Sequence, residues 1–309
     1  MANITAKEVQ ALRERTGVGM MDCKRALVAT DGDMDKAVDL LREKGLAAAQ
    51  KKSDRIAAEG IIAIYNQNNV AALTEINAET DFVARNEKFK AFTDNVVTIV
   101  ATKNPADLDA LLAMDYDGSG KTVEDMRKEM ILVIGENMKI RRFVRVEGNV
   151  YTYNHGQGKI GVVSKFDADP SVAATPDFAT FGKDICMQIA ALYPQYLDRV
   201  SVPAEVIDKE KSILLAQIKN DPKLASKPDA VIEKMIIGKL NKFYESSCLL
   251  DQIYFKNEEL TVGKYIESKA KEYGSAVKIL SFVRFEKGEG IQKREDNFAD
   301  EVAKMIKQL

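Results

Sequence analysis

The sequence predicts an α+β protein built from a small helical module, two related units of sheet and helix, and a projecting helical hairpin. Three observations support this prediction. Short helical segments fill residues 1–55, a strand–turn–strand–loop–helix pattern occurs twice, and two longer helical stripes lie within residues 201–245. The chain has 309 residues, 46% of them hydrophobic, which is enough for about two domains with ordinary cores.

Residues 1–55 are predicted to form three short helices in a compact bundle. Thr5 and Glu8 have the spacing of a capping box at the start of the first helix. Gly17 stands where that helix is expected to end, because glycine adopts the left-handed conformation that closes many helices.

The next two helices of the module are predicted over residues 20–30 and 34–44. Gly45 is expected to end the third helix. The basic stretch at residues 51–55 has two interpretations, a tether to the next unit or a solvated helix end.

An internal repeat relates residues 61–101 to residues 150–190 at a constant offset of 89. The turn at residues 66–69 aligns with the turn at residues 155–158. Steps of 3, 4 and 4 place the matched apolar residues on one face of each helix. They are Phe89, Phe92, Val96 and Val100 in the first unit and Phe178, Phe181, Ile185 and Ile189 in the second. Each unit is therefore predicted to be a sheet with a helix packed on one face.

The remaining elements follow from apolar periodicity and capping residues. They are a helix over 123–137 capped by Thr122, a strand over 140–147, an antiparallel hairpin of helices over 203–219 and 228–245, a helix over 261–272, a strand over 277–285 that could complete the second sheet, and an amphipathic helix over 298–309. The predicted domains are residues 1–55, residues 56–147, residues 148–200 with 246–286, the inserted hairpin at 201–245, and a C-terminal module at 287–309.

Charge and cysteine content exclude several classes of protein. The net charge of -2 provides no basic excess for direct binding to nucleic acid. Cys23, Cys186 and Cys248 are odd in number and far apart, so neither a disulfide framework nor a zinc site is expected. Reduced thiols are typical of a reducing compartment.

The sequence also indicates a cytoplasmic location and no membrane span. Residues 1–17 are charged and lack an apolar signal core, and no apolar run of about 18 residues occurs. His155 is the only histidine, which removes most acid–base and metal-centred enzyme mechanisms. No cofactor is expected.

Residues 118–122 resemble the end of a phosphate-binding loop. Asp115 stands where that loop needs its first glycine, and the preceding residues are not a convincing buried strand. A turn leading to the Thr122 helix cap is the favoured interpretation. A nucleotide site that uses Lys121 and Thr122 is the alternative.

Residues 79–83 (ETDFV) follow a predicted strand and precede a predicted helix, so they are expected in a surface connection. The matching connection in the second unit, residues 167–174, has no aromatic residue. The pattern allows two interpretations of Phe82: its ring folds back into its own core, or it projects as a wedge for a partner.

Four motifs resemble those of the bacterial elongation factor Ts family. They are TDFV at residues 80–83, LRERTGVGMMDCK at 12–24, IGENMKIRR at 134–142 and RFEKGEGI at 284–291. The resemblance runs in register from Ala2 to the end and is weakest over residues 195–260.

The resemblance implies a fold with an N-terminal UBA-like three-helix module, a two-subdomain core, an inserted antiparallel coiled-coil hairpin and a C-terminal helical module. It implies guanine nucleotide exchange on elongation factor Tu rather than enzymatic catalysis. The residues that it implies for dislocation of the partner's Mg²⁺ are Thr80, Asp81, Phe82 and Val83. The residues that it implies for partner binding are Arg13, Met20, Met21 and His155.

Two alternatives stay open at this point. One is a nucleotide-hydrolysing enzyme that uses Lys121 and Thr122. The other is a structural adaptor whose coiled-coil hairpin pairs with a second copy, and such self-association is compatible with the exchange function.

Overall fold

The computed structural model describes residues 4–118, 120–221, 223–224 and 227–292. The chain begins with a three-helix module whose elements are α1 (Ala6–Thr16), α2 (Met20–Ala29) and α3 (Met34–Lys52). The predicted capping box of Thr5 and Glu8 is confirmed, and Gly17 ends α1 in the left-handed conformation. Leu12 and Leu27 are fully buried in the core of the module.

The first sheet-and-helix unit is a three-stranded antiparallel sheet in the order β1-β2-β3. Its elements are β1 (Glu59–Gln67), β2 (Val70–Ala78), α4 (Asp81–Ala84), α5 (Glu87–Lys103), α6 (Leu108–Ala113), α7 (Val123–Ile134) and β3 (Met138–Glu147). Thr122 forms a capping box at the start of α7, as predicted. The helix ends at Ile134 rather than at residue 137, because Gly135 turns the chain in the left-handed conformation.

The prediction that the third helix stops at Gly45 is wrong, since α3 continues to Lys52. Gly45 packs against α7 instead, where a Cβ atom would lie 3.5 Å from the carbonyl oxygen of Lys128. A small residue at this position lets the two helices approach closely, and Ala49 continues the buried face beyond it. Residues 51–52 are thus the end of a helix, which favours that interpretation over a tether.

The second unit repeats the first, with a three-stranded sheet in the order β4-β5-β8. Its elements are β4 (Asn149–His155), β5 (Ile160–Ala168), α8 (Pro170–Ala173), α9 (Pro176–Leu192), α12 (Val262–Tyr273) and β8 (Val277–Glu286). The offset of 89 residues relates the bounds of α4 to those of α8, and the bounds of α5 to those of α9. All eight matched apolar helix positions are buried, which confirms the predicted buried face of each helix.

Each sheet buries one face against its own long helix and the other face against the second sheet. Apolar side chains from both sheets form the shared cluster. They are Ile62, Ala71, Leu73, Val150, Val163 and Phe285. The sequence predicted the helix-covered faces but not this contact between the sheets. The mixed fold of helices and antiparallel sheets fits the predicted α+β class, and the predicted domain boundaries stay predictions.

A helical hairpin is inserted between α9 and β8, as predicted. It consists of α10 (Ala204–Asn220) and α11 (Asp229–Ser247). Its buried apolar residues are Leu214 and Ile218 on α10 and Ile232 and Leu240 on α11. A short 3₁₀ helix (Leu249–Asp251) and a two-stranded hairpin of β6 (Ile253–Tyr254) and β7 (Asn257–Thr261) follow, and the sequence analysis missed both. The predicted helix over 298–309 lies outside the described residues.

A buried carboxylate ties the first sheet to the chain that leaves the second. The Glu75 side chain is fully buried in β2. It accepts hydrogen bonds from Arg141 Nη1 at 3.0 Å, from Arg142 Nε at 2.6 Å and from the Gly288 N–H at 2.8 Å. Arg142 Nη2 also donates to Glu289 Oε2 at 3.0 Å. The charge on Glu75 is therefore paired and fully hydrogen-bonded.

Candidate functional site

The segment from Glu79 to Val83 joins β2 to α5 and presents one aromatic ring to solvent. Phe82 is 79% exposed, so the interpretation in which its ring folds into the core is wrong. Asp81 is also exposed, whereas Val83 is buried in the core of the first unit. Aromatic side chains are enriched at protein–protein interfaces, which makes the exposed ring of Phe82 a candidate contact for a partner.

A clasp of hydrogen bonds fixes the first two residues of this segment, Glu79 and Thr80. Glu136, in the turn after α7, accepts from the Thr80 N–H at 2.9 Å through Oε2 and from the Thr80 hydroxyl at 2.7 Å through Oε1. In return, the Asn137 N–H donates to Glu79 Oε1 at 2.6 Å. Hydrogen bonds to a carboxylate are roughly twice as strong as neutral ones, so the clasp holds the Phe82 backbone in place.

The clasp reaches the end of the N-terminal module. The Asn137 side-chain amide donates to the carbonyl oxygens of Ser53 at 3.3 Å and Arg55 at 2.8 Å. Arg55 also lies 3.5 Å from Glu79 through its guanidinium. Because these contacts follow directly after α3, the module and the Phe82 segment are joined through one turn.

Lys52 adds a further contact at the same place. Its ammonium donates to the carbonyl oxygen of Gly135. Burial and the neighbouring positive charge of Arg55 hold the pKa of Lys52 below its ordinary value, against the opposing effect of Glu79 and Glu136.

Within the described structure, Asp81 makes a weak local contact. Its carboxylate lies 3.4 Å from the guanidinium of Arg85, and both side chains are more than half exposed. An ion pair of this kind contributes little to stability, about 0–1 kcal/mol. The carboxylate of Asp81 is therefore available to another molecule.

The N-terminal module exposes the residues that the family resemblance assigns to partner binding. Met20 is 42% exposed and Met21 is 64% exposed at the start of α2, and Arg13 is exposed on α1. The turn before them adjoins α5, since a Cβ atom on Gly17 would lie 2.7 Å from Lys88 Nζ. Lys88 is in the first turn of α5, so the two exposed methionines follow a turn that lies beside the helix after Phe82.

His155 ends β4 at the tip of the second hairpin and is exposed. Its Nδ1 atom lies 3.2 Å from the hydroxyl of Tyr153. The same tip touches the first sheet, because the carbonyl oxygen of Gly158 accepts from the Ile62 N–H at 2.8 Å. Gly158 has φ of +92°, and a Cβ atom there would lie 2.7 Å from Ile61. The position of His155 is thus fixed by a contact between the two units.

The alternative nucleotide site loses its structural support. The residues before Asp115 form α6 rather than a strand. The Asp115 carboxylate accepts hydrogen bonds from the Gly118 and Gly120 N–H groups. These are the backbone donors that a bound phosphate would need. The ammonium of Lys121 pairs with Glu129 at 2.8 Å. A negatively charged side chain therefore already accepts the hydrogen bonds of the loop N–H groups.

In the described part of the chain, no group of three or more His, Cys, Asp or Glu residues could hold a metal ion. Among the helices that the structure describes, none is long and apolar enough to cross a membrane.

Two residues that organise the segment, Glu136 and Asn137, could not be identified as such from local sequence patterns. Both belong to the IGENMKIRR motif, yet they lie 56 and 58 residues from their partners Thr80 and Glu79. The available signal was an acidic residue directly after a glycine that ends a helix. That signal does not identify the partner.

Comparisons with known proteins agree on one family. The sequence model of the family described as Elongation factor TS matches residues 79–289. Elongation factor Ts of Clostridium perfringens is 49% identical over 307 residues, which cover 98% of this chain and 99% of that protein. Elongation factor Ts of Syntrophotalea carbinolica is 46% identical and that of Magnetococcus marinus 45% identical, each over 98% of this chain and 99% of the relative. The chain therefore belongs to the elongation factor Ts family, whose members act in the elongation phase of protein biosynthesis.

Proposed function

We propose that the protein binds elongation factor Tu in its GDP-bound form in the cytoplasm and promotes release of the nucleotide. It acts as a guanine nucleotide exchange factor and not as an enzyme with catalytic residues of its own. The observation that carries this proposal is Phe82, a ring that is 79% exposed on a segment whose backbone is clasped by Glu136.

The proposed step is disturbance of the partner's Mg²⁺ and phosphate site. Mg²⁺ requires near-octahedral geometry at short distances, so small displacements of the groups around it weaken nucleotide binding. Burial of the Phe82 ring between elements of the partner would supply roughly 1.5–3 kcal/mol. The free carboxylate of Asp81 would compete for groups that orient the water shell of the metal.

The roles within the segment divide by burial. Val83 is 6% exposed and packs in the core, so its role is to anchor the segment. Thr80 donates two hydrogen bonds to Glu136 and thereby orients the two residues that follow it. Asp81 and Phe82 are then the side chains that meet the partner.

Exchange of this kind is negative coupling between two ligands of the partner. The factor weakens GDP binding and GDP weakens factor binding by the same free energy, typically about 1–3 kcal/mol. Arg13, Met20, Met21 and His155 contact the partner outside the nucleotide site. They supply affinity that does not depend on the nucleotide.

Release of a fluorescent GDP analogue from elongation factor Tu tests the proposal. Phe82→Ala is expected to slow release at least tenfold at a fixed factor concentration, because about 1.4 kcal/mol of lost coupling equals a factor of ten. Phe255→Ala is a matched control, since Phe255 is 38% exposed on the distant β6–β7 hairpin. The control is expected to release nucleotide at the wild-type rate.

Separate measurement of binding to nucleotide-free elongation factor Tu distinguishes a role of Phe82 in nucleotide release from a role in partner affinity. Phe82→Ala should lose exchange activity to a greater extent than affinity for the nucleotide-free partner. A folded Phe82→Ala variant with unchanged release would overturn the assignment of Phe82. A wild-type protein with no affinity for elongation factor Tu would overturn the whole proposal.

Self-association through the coiled-coil hairpin is a second, compatible proposal. Ile213, Val231 and Ile237 on its helices are 42%, 39% and 54% exposed. A second copy could bury these side chains in an antiparallel pair. Sedimentation equilibrium of wild type and Ile237→Glu tests it: a concentration-dependent dimer that the substitution abolishes supports pairing, and a monomer at all concentrations refutes it.

A further inference from the structure

The turn after α7 is hydrogen-bonded on two sides, and Asn137 takes part on both. Its backbone N–H donates to Glu79 Oε1 at 2.6 Å, on the side of the Phe82 segment. Its side-chain amide donates to the carbonyl oxygens of Ser53 at 3.3 Å and Arg55 at 2.8 Å, on the side of the N-terminal module. A single residue therefore connects the end of the module to the clasp.

Asn137 is the buried contact among those that cross this junction. It is 1% exposed. The ion pair between Arg55 and Glu79 has a distance of 3.5 Å, and the Arg55 side chain is 52% exposed. The hydrogen bond from Lys52 to the carbonyl oxygen of Gly135 is also exposed to solvent. Water competes with exposed contacts, so the buried amide is expected to transmit force most effectively.

The amide of Asn137 makes the junction resist displacement. Both of its acceptors are carbonyl oxygens, so the amide nitrogen must face them and Oδ1 must face away. Oδ1 is buried and has no hydrogen-bond partner among the described residues. If the module moved away, the amide would lose its two acceptors as well and become wholly unsatisfied, which a buried polar group strongly disfavours.

A displacement at this junction reaches Phe82 by a short path. Glu136 directly precedes Asn137 and holds Thr80 by two hydrogen bonds. Phe82 follows Thr80 by two residues, and the ring has no core contact that could fix it instead, since it is 79% exposed. A misplacement of about 1 Å can cost on the order of a hundredfold in the rate of a positioned reaction.

We propose that Asn137 is a positioning residue through which the seating of the N-terminal module sets the position of the Phe82 ring. The end of α3, the turn after α7 and the Phe82 segment move as one body. The coupling is a property of the free chain. Its effect on nucleotide release rests on the proposed exchange function, so the two are tested separately.

Asn77 provides a matched control for Asn137. It is also 1% exposed, and its Oδ1 is also buried without a hydrogen-bond partner among the described residues. Its amide likewise donates two hydrogen bonds, to the carbonyl oxygen of Glu59 and to Glu75 Oε1, both at 3.1 Å. Both partners belong to the first sheet, so these bonds do not connect Asn77 to the N-terminal module.

Hydrogen exchange of the full chain without a partner tests the coupling. Leu27→Ala loosens the module, because Leu27 is fully buried in its core. We expect exchange of the amides of residues 79–86 to become about 2- to 30-fold faster, the range that residues in a coupled network produce. With Asn137→Ala already present, Leu27→Ala should not accelerate this exchange further. With Asn77→Ala present, it should keep its full effect.

Every other outcome of this comparison contradicts the proposal. If Leu27→Ala has the same effect in all three backgrounds, the module acts on the segment by a route that does not include Asn137. If its effect is lost in both asparagine variants, the role of Asn137 is that of any buried amide nearby. If it has no effect in any background, the module and the segment are independent. Val9→Ala, a smaller deletion in the same core, gives the same comparison if Leu27→Ala unfolds the module.

Release of a fluorescent GDP analogue from elongation factor Tu gives the functional readout. At saturating factor, Asn137→Ala should lower the maximal rate about 2- to 30-fold, while Asn77→Ala keeps the wild-type rate. The factor concentration that gives half of the maximal rate should stay unchanged, since Asn137→Ala alters no exposed contact residue. A raised half-saturating concentration with an unchanged maximal rate would overturn the positioning role.

The two readouts separate this inference from the proposed function. If the wild-type protein does not release GDP from elongation factor Tu, the proposed function fails, and hydrogen exchange still decides whether Asn137 couples the module to the segment. If the wild type releases GDP and Asn137→Ala and Asn77→Ala slow release equally, the proposed function stands and the positioning role of Asn137 is refuted.

Discussion

Glu136 holds Thr80 through both of its carboxylate oxygens, at 2.9 Å to the backbone N–H and 2.7 Å to the hydroxyl. The two hydrogen bonds fix the backbone and the side chain of Thr80, the N-cap residue directly before α4. Since Phe82 follows two residues later, the orientation of its exposed ring depends on an acidic residue from a different part of the chain.

A double-mutant cycle between these residues should show their coupling. Thr80→Val removes the hydroxyl, and Glu136→Gln removes the charge that receives it. We expect a coupling of about 0.5–3 kcal/mol in the free energy of unfolding, the usual range for residues in direct contact. Urea denaturation of the wild type, the two single variants and the double variant measures it, and strict additivity would contradict the clasp.

Glu136→Gln should also slow nucleotide release from elongation factor Tu, although Glu136 need not touch the partner. The expected slowing is smaller than that of Phe82→Ala, because the ring remains and only its direction is less fixed. Glu87→Gln serves as the control, since Glu87 is 86% exposed and forms a surface ion pair with Lys90. Equal effects of the two glutamine variants would refute a positioning role.

Removal of the buried carboxylate of Glu75 should be strongly destabilising. Glu75→Ala leaves the guanidinium groups of Arg141 and Arg142 without their main partner. Loss of one partner of a buried ion pair costs about 3–5 kcal/mol, whereas loss of an exposed pair costs about 0–1 kcal/mol. Glu87→Ala provides the exposed comparison. Similar unfolding free energies for the two variants would show that Glu75 is not needed.

Acid should weaken the contact between Glu289 and its partners. Burial opposes ionisation, but hydrogen bonds from Tyr193 and Arg142 outweigh it and hold the pKa of Glu289 below its ordinary value of 4.5. The folded state therefore binds this proton less tightly than the unfolded state, and the contribution to stability is complete above the unfolded pKa. It is lost as pH falls through the lower, folded pKa.

The unfolding free energy of wild type minus that of Glu289→Gln measures this contribution. We expect a positive difference at neutral pH that decreases steadily below the ordinary pKa of 4.5. A difference that stays constant into the acid range would mean that the Glu289 charge does not contribute.

The features that the sequence predicted correctly depend on residues that are close to one another in the chain. The buried helix face of Phe89, Phe92 and their counterparts follows from the spacing of apolar residues along one helix. The caps at Thr5 and Thr122 depend only on residues three positions apart. Such patterns are complete within one element, so no knowledge of tertiary contacts is needed.

The features that the sequence did not predict depend on residues far apart in the chain. The bonds from Glu136 to Thr80 and from Glu75 to Gly288 span 56 and 213 residues. Their members look like ordinary surface charges until the fold brings them together. The exposure of Phe82 was undecided for the same reason, since it depends on whether the core has room for the ring.

Gly158 should tolerate alanine less well than Gly118 does. Both have a positive φ, +92° and +84°, so both variants carry backbone strain of about 1–3 kcal/mol. At Gly158 the new Cβ atom would meet Ile61 at 2.7 Å, whereas at Gly118 no described residue lies within 4 Å of it. Thermal unfolding should show a larger loss for Gly158→Ala. Equal losses would mean that the contact between the two sheets adjusts freely.

Gly45 allows the contact between α3 and α7 to be tested with a matched glycine in α11. Gly45 and Gly238 both lie inside helices, and alanine at either should add about 0.5–1 kcal/mol of stability. An added Cβ on Gly45 would meet Lys128 and Leu132 at ordinary distances of 3.5 and 3.7 Å, and one on Gly238 would have no described residue within 4 Å. The two alanine variants should therefore be alike.

Leucine should separate the same two positions. Gly238→Leu extends into open space and should keep the gain in helix propensity. Gly45→Leu must push α7 away from α3, and such overpacking costs typically about 1–3 kcal/mol. Urea denaturation of the four variants measures the contrast. If Gly45→Leu were as stable as Gly238→Leu, the helices would not pack at the distance that glycine permits, and α3 would continue past Gly45 for another reason.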